Sequence, residues 1–298
     1  MSELAPFQDY IAAVRSKVTA ERYVISVTVF LRWLAVQHPG KTWPQLPKST
    51  PSDYALYLLD SGYMPGTVGS HLAAVSRYFR WLKEQANVLV PEFNKVELPR
   101  PKKKVKDILS AEMLGHYFRA AGELGEPLKS AVMLLPCCGL RSQELVSIQL
   151  SSVRRTPLKL ADGTEKNLLC FVVTGKGGNE RTVPLFEEGA EILIRYLKGW
   201  RREHSDETYL FPGRYSGHLS TRALRDAVQT LRGAFKAAWT PHTMRRTYLT
   251  TLHRRGVPIG TISKIGGQSV QVLMDHYLAL DEHDVVQAMH ATGGRLTP

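Results

Sequence analysis

Val68, Leu72, Val75, Phe79 and Leu82 recur at spacings of 4, 3, 4 and 3 residues within TVGSHLAAVSRYFRWLKEQ. That rhythm lays one apolar stripe along a helix and predicts one starting near Gly66–Thr67. Arg77, Arg80 and Lys83 fall largely outside the stripe, with Ser70 and His71 available near its start. An earlier helix is predicted over Ala20–Gln37, where Val24, Val27, Phe30, Leu31 and Leu34 keep a similar register. Thr42-Trp43-Pro44 and Thr50-Pro51 mark turns. Residues 1–98 therefore read as an all-helical domain, with no internal repeat.

From about Ile108 the pattern is mixed. Ser110 is an N-cap candidate opening a helix. LLPCCGLRSQELVSIQL, Leu134 to Leu150, reads as a helix entering a core. NLLCFVV, Asn167 to Val173, is a short apolar run with β-branched residues and predicts a strand. GKGGNE follows as a turn and RTVPL as a second strand, which together make a β-hairpin. Helices are expected again over Glu187–Arg202, Thr221–Ala237, Thr243–Arg254 and Asp281–His290. The expected fold class is mainly α with a small antiparallel β-sheet: a helical domain over 1–98 and an α+β domain over 108–298.

The joint between them is PRPKKKVKDI, residues 99–108. Five basic residues less one acidic give this segment +4 of the chain's net +12. Its prolines prevent a continuous helix, and its lysines favour an exposed, extended linker over 99–107. Such a basic balance favours an anionic partner, nucleic acid above all. If the flanking domains bind DNA, Lys102, Lys103 and Lys104 would follow its phosphate backbone. The length of 298 residues and 43% hydrophobic content fit two folded domains. No apolar run is long enough for a membrane span, and the N-terminus has no signal-peptide pattern, so an intracellular protein is expected. Cys137, Cys138 and Cys170 lack metal-ligand spacing and read as small buried hydrophobes.

Several polar residues interrupt these patterns. Arg141 and Glu144 stand at i and i+3, on one face of a helix start, in an otherwise apolar segment. An arginine cannot shed its charge, so burial demands a partner. His242 and Arg245 are also at i and i+3, at another helix start, and Lys176 sits at the glycine-rich hairpin tip. Tyr277 ends QVLMDHY. Taken singly, each has an ordinary account: a helix salt bridge, a solvated turn, a hairpin loop, a packed aromatic.

Taken together, CGLRSQEL, VTGKGGNERTVPL, HTMRR and the downstream tyrosine resemble the motif series of the tyrosine recombinase (phage integrase) family. The resemblance covers nearly the whole chain, since GTVGSHLAAVSRYFRWL is similar to the family's core-binding domain, and the size is most like compact Xer-type members. It implies that Tyr277 is the nucleophile. Arg141 and Arg245 would be the catalytic arginines, Glu144 their support, Lys176 the acid for the leaving 5′ oxygen, and His242 the partner of Arg245. The chemistry is coherent on physical grounds. Arginine forks can hold both nonbridging oxygens as charge builds there. A phosphotyrosyl link conserves the energy of the broken bond, so neither ATP nor metal is needed. Neither a Walker-type loop nor a carboxylate cluster for paired magnesium ions is present, and no cofactor is expected.

The family usually has a histidine or tryptophan nine residues before the tyrosine. Here that position is Gln268, or Gly267 if the alignment slips by one. Glutamine can donate to a phosphate oxygen but does not titrate near neutral pH, so an active but slower site is expected. Tyr248 is expected to pack, and Asp275, His276, His283 and His290 fit no standard zinc spacing.

The expected function is conservative site-specific recombination of duplex DNA by a two-domain clamp, through a 3′-phosphotyrosyl intermediate. Arg77, Arg80 and Lys83 would contact DNA. The C-terminal helix, with Asp281 as N-cap and Val285, Val286 and Met289 as its apolar stripe, would dock into a neighbouring protomer of a tetramer. A type IB-like DNA-relaxing enzyme and a DNA-binding protein that has lost catalysis are the alternatives. A need for an accessory protein or partner recombinase is left open.

Overall fold

The chain divides into two compact units, Met1–Lys103 and Lys104–Pro298. The computed structural model describes residues 4–90, 96–99, 107–159, 164–175, 178–204, 208–214, 217–236 and 239–276. Lys102, Lys103, Lys104, Lys176, Tyr277 and the helix expected over 281–290 lie outside the described residues.

In the first unit, apolar spacing sets four helices: α1 (Ala5–Val14), α2 (Lys17–Gln37), α3 (Thr50–Asp60) and α4 (Pro65–Glu84). Ser16 caps α2 by accepting a hydrogen bond from the Thr19 amide at 3.2 Å. All five residues of the α4 stripe are buried, together with Phe7, Ile11, Val27, Phe30, Tyr54 and Leu58. Phe30 lies at the centre, its ring 5.0 Å from Tyr54 and 5.8 Å from Phe79. Burial of one such side chain stabilises the unit by about 1.5–3 kcal/mol. Thr50-Pro51, expected as a turn, instead begins α3, because proline in a first turn forfeits no helix hydrogen bond. His71, expected to be available near the start of α4, is instead buried, and the Tyr54 hydroxyl lies 3.1 Å from its Nδ1.

The second unit holds α5 (Ala111–Gly122), α6 (Leu128–Cys138), α7 (Ser142–Val146), β1 (Val153–Lys159), β2 (Glu165–Thr174) and β3 (Glu180–Leu185). Then come α8 (Glu187–Lys198), α9 (Trp200–Glu203), α10 (Thr221–Thr230), α11 (Pro241–Arg254), α12 (Ile259–Gly266) and α13 (Val270–His276). Helix α6 packs against α5, α8, α10 and α11 and carries the core. Ser110 caps α5 as expected, accepting from the Met113 amide. Within α6, Pro136 offers no N–H to the Val132 carbonyl, and the Tyr117 hydroxyl supplies that bond at 2.9 Å. Cys138 and Cys170 are buried, Cys137 is half-buried, and burial pushes the Cys138 thiol up to about 12.

The hairpin is part of a three-stranded antiparallel meander ordered β1-β2-β3, with Val153 opposite Phe171 and Phe171 opposite Val183. Strand β1, VRRTPLK, gave little sequence signal because it is polar and carries Pro157, which an edge strand tolerates. Three expected helices also differ in extent. The Leu134–Leu150 segment breaks after Cys138, where Gly139 turns left-handed (φ +60°). The Glu187–Arg202 helix is interrupted at Gly199. Helix α10 stops at Thr230, ahead of a turn with Gly233 at φ +57°. Among the described residues, no helix is long and apolar enough to cross a membrane.

Candidate active site

The break at Gly139 creates the site. A continuous helix would have kept residue 141 on the α6 surface. The left-handed turn instead makes Arg141 the N-cap residue of α7, in extended backbone. Its amide donates to Glu144 Oε2 at 2.9 Å, since Glu144 stands at the third position of the new helix and reaches back. Arg141 Nη1 donates to Glu144 Oε1 at 2.6 Å, and Nη2 donates to the Gly267 carbonyl at 3.0 Å.

Arg245 comes from α11, whose N-terminus is capped by the Thr240 hydroxyl and opened by Pro241. Its side chain is entirely enclosed. Nη1 donates to the Gly139 carbonyl at 2.6 Å; Nη2 donates to the Gly266 carbonyl at 2.5 Å and to Gln268 Oε1 at 2.8 Å. Nη1 also lies 3.9 Å from Glu144 Oε2. Gln268 follows the left-handed Gly267 that ends α12, and its Nε2 is buried without a hydrogen-bond partner among the described residues. Three segments far apart in sequence thus bring Arg141, Glu144, Arg245 and Gln268 together.

His242, one turn before Arg245, is exposed in the first turn of α11. The hairpin base is closed by the Gly175 amide donating to the Asn179 carbonyl at 2.8 Å, and Lys176 belongs to that loop by sequence. Tyr277 immediately follows the last residue of α13. The Tyr248 hydroxyl is buried with no hydrogen-bond partner among the described residues, and burial raises its pKa, so this tyrosine packs rather than reacts.

A further residue joins the cluster. Arg181, at the start of β3, donates from Nη1 to Glu144 Oε1 at 3.1 Å and from Nη2 to Oε2 at 2.8 Å. Its Nε donates to the Ile265 carbonyl at 2.8 Å. Sequence reading missed it, though a signal existed: Arg181 is in the same strand register as buried Val183 and Leu185, so an arginine stands on the core-facing alternation. Burial works to raise the Glu144 pKa, but hydrogen bonds and charge from Arg181 and Arg141 outweigh it and hold the carboxyl below its ordinary value. Three arginines around one carboxylate leave an excess of two positive charges, which suits an anionic group such as a phosphate.

In the first unit, Arg77 is half-buried; its Nη2 donates to the Tyr10 hydroxyl at 2.8 Å and its guanidinium lies over that ring. Arg80 and Lys83 are exposed. Arg15, Arg77 and Arg80 line one cleft of about 280 Å³, with Tyr23 and Ser76.

The family model described as "Phage integrase family" matches residues 110–283, and "Phage integrase, N-terminal SAM-like domain" matches residues 4–86. A tyrosine recombinase XerD of Oceanobacillus iheyensis is 24% identical over 284 residues, 91% of this chain and 92% of the relative. A tyrosine recombinase of Thermosipho africanus is 26% identical over 295 residues, 95% and 96% of the two chains. The fold is similar to XerH site-specific recombinase bound to a palindromic difH substrate (TM-score 0.68, 16% identity, 93% of this chain and 80% of that one). It is also similar to a lambda integrase dimer bound to a core site (TM-score 0.69, 16% identity, 93% and 94%). With the catalytic-family match alone spanning more than half of the sequence, the chain belongs to the phage integrase family of tyrosine recombinases.

Proposed function

We propose that the chain is a site-specific recombinase that cleaves and rejoins duplex DNA through a 3′-phosphotyrosyl intermediate. The observation that carries the reading is the convergence of Arg141, Glu144, Arg245 and Gln268 from three distant segments. The Tyr277 oxygen attacks the phosphorus and the bond to the 5′ oxygen breaks. The phenolic proton passes to His242, and Lys176 protonates the leaving oxygen. Arg141, 34% exposed on its side chain, keeps part of its fork open to a nonbridging oxygen. Arg245 reaches the phosphate when Gln268 yields its place at Nη2, and the Gln268 amide nitrogen then donates to the same group. A 5′ hydroxyl of the partner strand reverses the step, so strand exchange conserves bond energy.

Duplex DNA is the substrate. Arg77, Arg80 and Lys83, with the lysines of the strap at 99–107 joining the 1–98 and 108–298 domains, supply phosphate contacts and a steep salt dependence. The apolar stripe at Val285, Val286 and Met289 supports docking of the C-terminal segment onto a neighbouring protomer in a tetramer on two sites. Such a protein works in the cytoplasm, on the nucleoid.

The test is covalent trapping. Duplexes selected from a random pool are nicked at successive positions, and an SDS-resistant adduct is sought without added metal. An adduct from wild type and none from Tyr277→Phe is expected, followed by strand exchange between two sites. Tight binding without an adduct from either protein would point to a binding protein that has lost catalysis. Relaxation of plasmid lacking any specific site would point to a topoisomerase.

A further inference from the structure

Glu144 is the hub of the cluster, yet the arginine that grips it with both terminal nitrogens stands within VTGKGGNERTVPL without any role assigned to it there. We propose that Arg181 is a positioning residue of the recombination reaction: it fixes Glu144 and the turn at 265–268, and so aims Arg141 and Arg245 at the scissile phosphate. The proposal rests on the recombinase reading.

The division of labour follows from exposure and geometry. Arg141 leaves 34% of its side chain exposed, whereas Arg181 leaves 12% and donates from all three guanidinium nitrogens to Glu144 and the Ile265 carbonyl. Two parallel N–H···O bonds to one carboxylate fix its plane as a single bond cannot. With the carboxylate held so, its Oε1 meets Arg141 Nη1 and its Oε2 meets the Arg141 amide, which sets both the root and the tip of that side chain.

Arg181 also sets the turn that serves both arginines. Its Nε holds the Ile265 carbonyl, and its guanidinium fills the space beside Gly267, where an added Cβ would sit 2.9 Å from it. The next carbonyls, of Gly266 and Gly267, accept from Arg245 and Arg141 respectively, and Gln268 follows. One side chain on β3 therefore controls the acceptors of both arginines without occupying their place. It also roots the strand that leaves the Lys176 loop, five residues downstream of that lysine. Its hydrogen bonds and charge, with those of Arg141, hold the Glu144 carboxyl below its ordinary value against the upward push of burial.

Single-turnover cleavage of a nicked duplex separates this role from DNA binding. Arg181→Gln is expected to keep the Kd for the duplex within about threefold of wild type while cleavage at saturating DNA falls about 10²-fold, the effect of an ångström-scale misplacement. The acid limb of its pH–rate profile moves to higher pH, because Glu144 then protonates more readily. Arg181→Lys keeps the charge and restores most of that limb, but only part of the rate. If Arg181→Gln does not fold, Arg181→Lys and Gly267→Ala carry the test through the same split between Kd and rate. Wild-type rate and pH profile in the variants would overturn the proposal, as would a loss confined to Kd. Absence of any wild-type adduct would instead remove the recombinase reading, and this proposal with it.

Discussion

Gly139→Ala is the sharpest test of how the site is built. Gly139 closes α6 at φ +60° and ψ 22°, a conformation that costs an L-residue other than glycine about 1–2 kcal/mol. A Cβ there would lie 2.4 Å from Tyr248 Cδ1 and 3.0 Å from Cε1. The tyrosine ring cannot simply swing aside, since its hydroxyl is already buried. Overpacking of this kind costs about 1–3 kcal/mol, so the two effects together destabilise the second unit by about 2–5 kcal/mol. The Gly139 carbonyl also accepts from Arg245, so residual folded protein should cleave DNA more slowly. Hydrogen exchange of α6 and α11 peptides across a urea series reads this unit separately from the first. Adding Tyr248→Ala removes the clash and leaves the backbone term, so the double-mutant cycle should return about 1–3 kcal/mol of coupling. A Gly139→Ala cost within about 0.5 kcal/mol, or one unchanged by Tyr248→Ala, would refute the reasoning.

Three further outcomes are expected. Because the folded-state pKa of Glu144 is depressed, its ionised form stabilises the fold fully above the ordinary carboxylate value. That stability is lost as pH falls through the folded value; urea midpoints should drop on acidification, with a smaller drop in Glu144→Gln. Burial likewise lowers the His71 pKa, so its contribution is complete above about pH 6.5 and is lost as pH falls through the lower folded value. An NMR titration of the His71 ring giving a value at or above that of an exposed histidine would contradict this. Arg80→Ala should reduce the slope of log K against log salt by about 0.9 if one phosphate contact is lost, measured by anisotropy with a labelled duplex. An unchanged slope would remove Arg80 from the DNA surface.

Local chemistry made much of this protein legible in one dimension. The α4 stripe at 68, 72, 75, 79 and 82, the Ser110 cap and the β2–β3 hairpin depend on spacing and side-chain type, which any reader of the sequence can count. The motif residues Arg141, Glu144 and Arg245 were legible by resemblance, because type and order carry over along the chain; Gln268 was found by its spacing from Tyr277 alone, since its type departs from the pattern. Partnership did not. Only the tertiary structure showed what surrounds the turn at Gly139 within the 134–150 segment, with the Tyr248 ring packed over it and Arg245 drawing on its carbonyl. Only it placed His71 against Tyr54 inside a core, and Arg181 with both nitrogens on Glu144 across 37 residues of chain. A buried charge is settled by what surrounds it in space, and sequence distance says nothing of that until the helices and the sheet have packed.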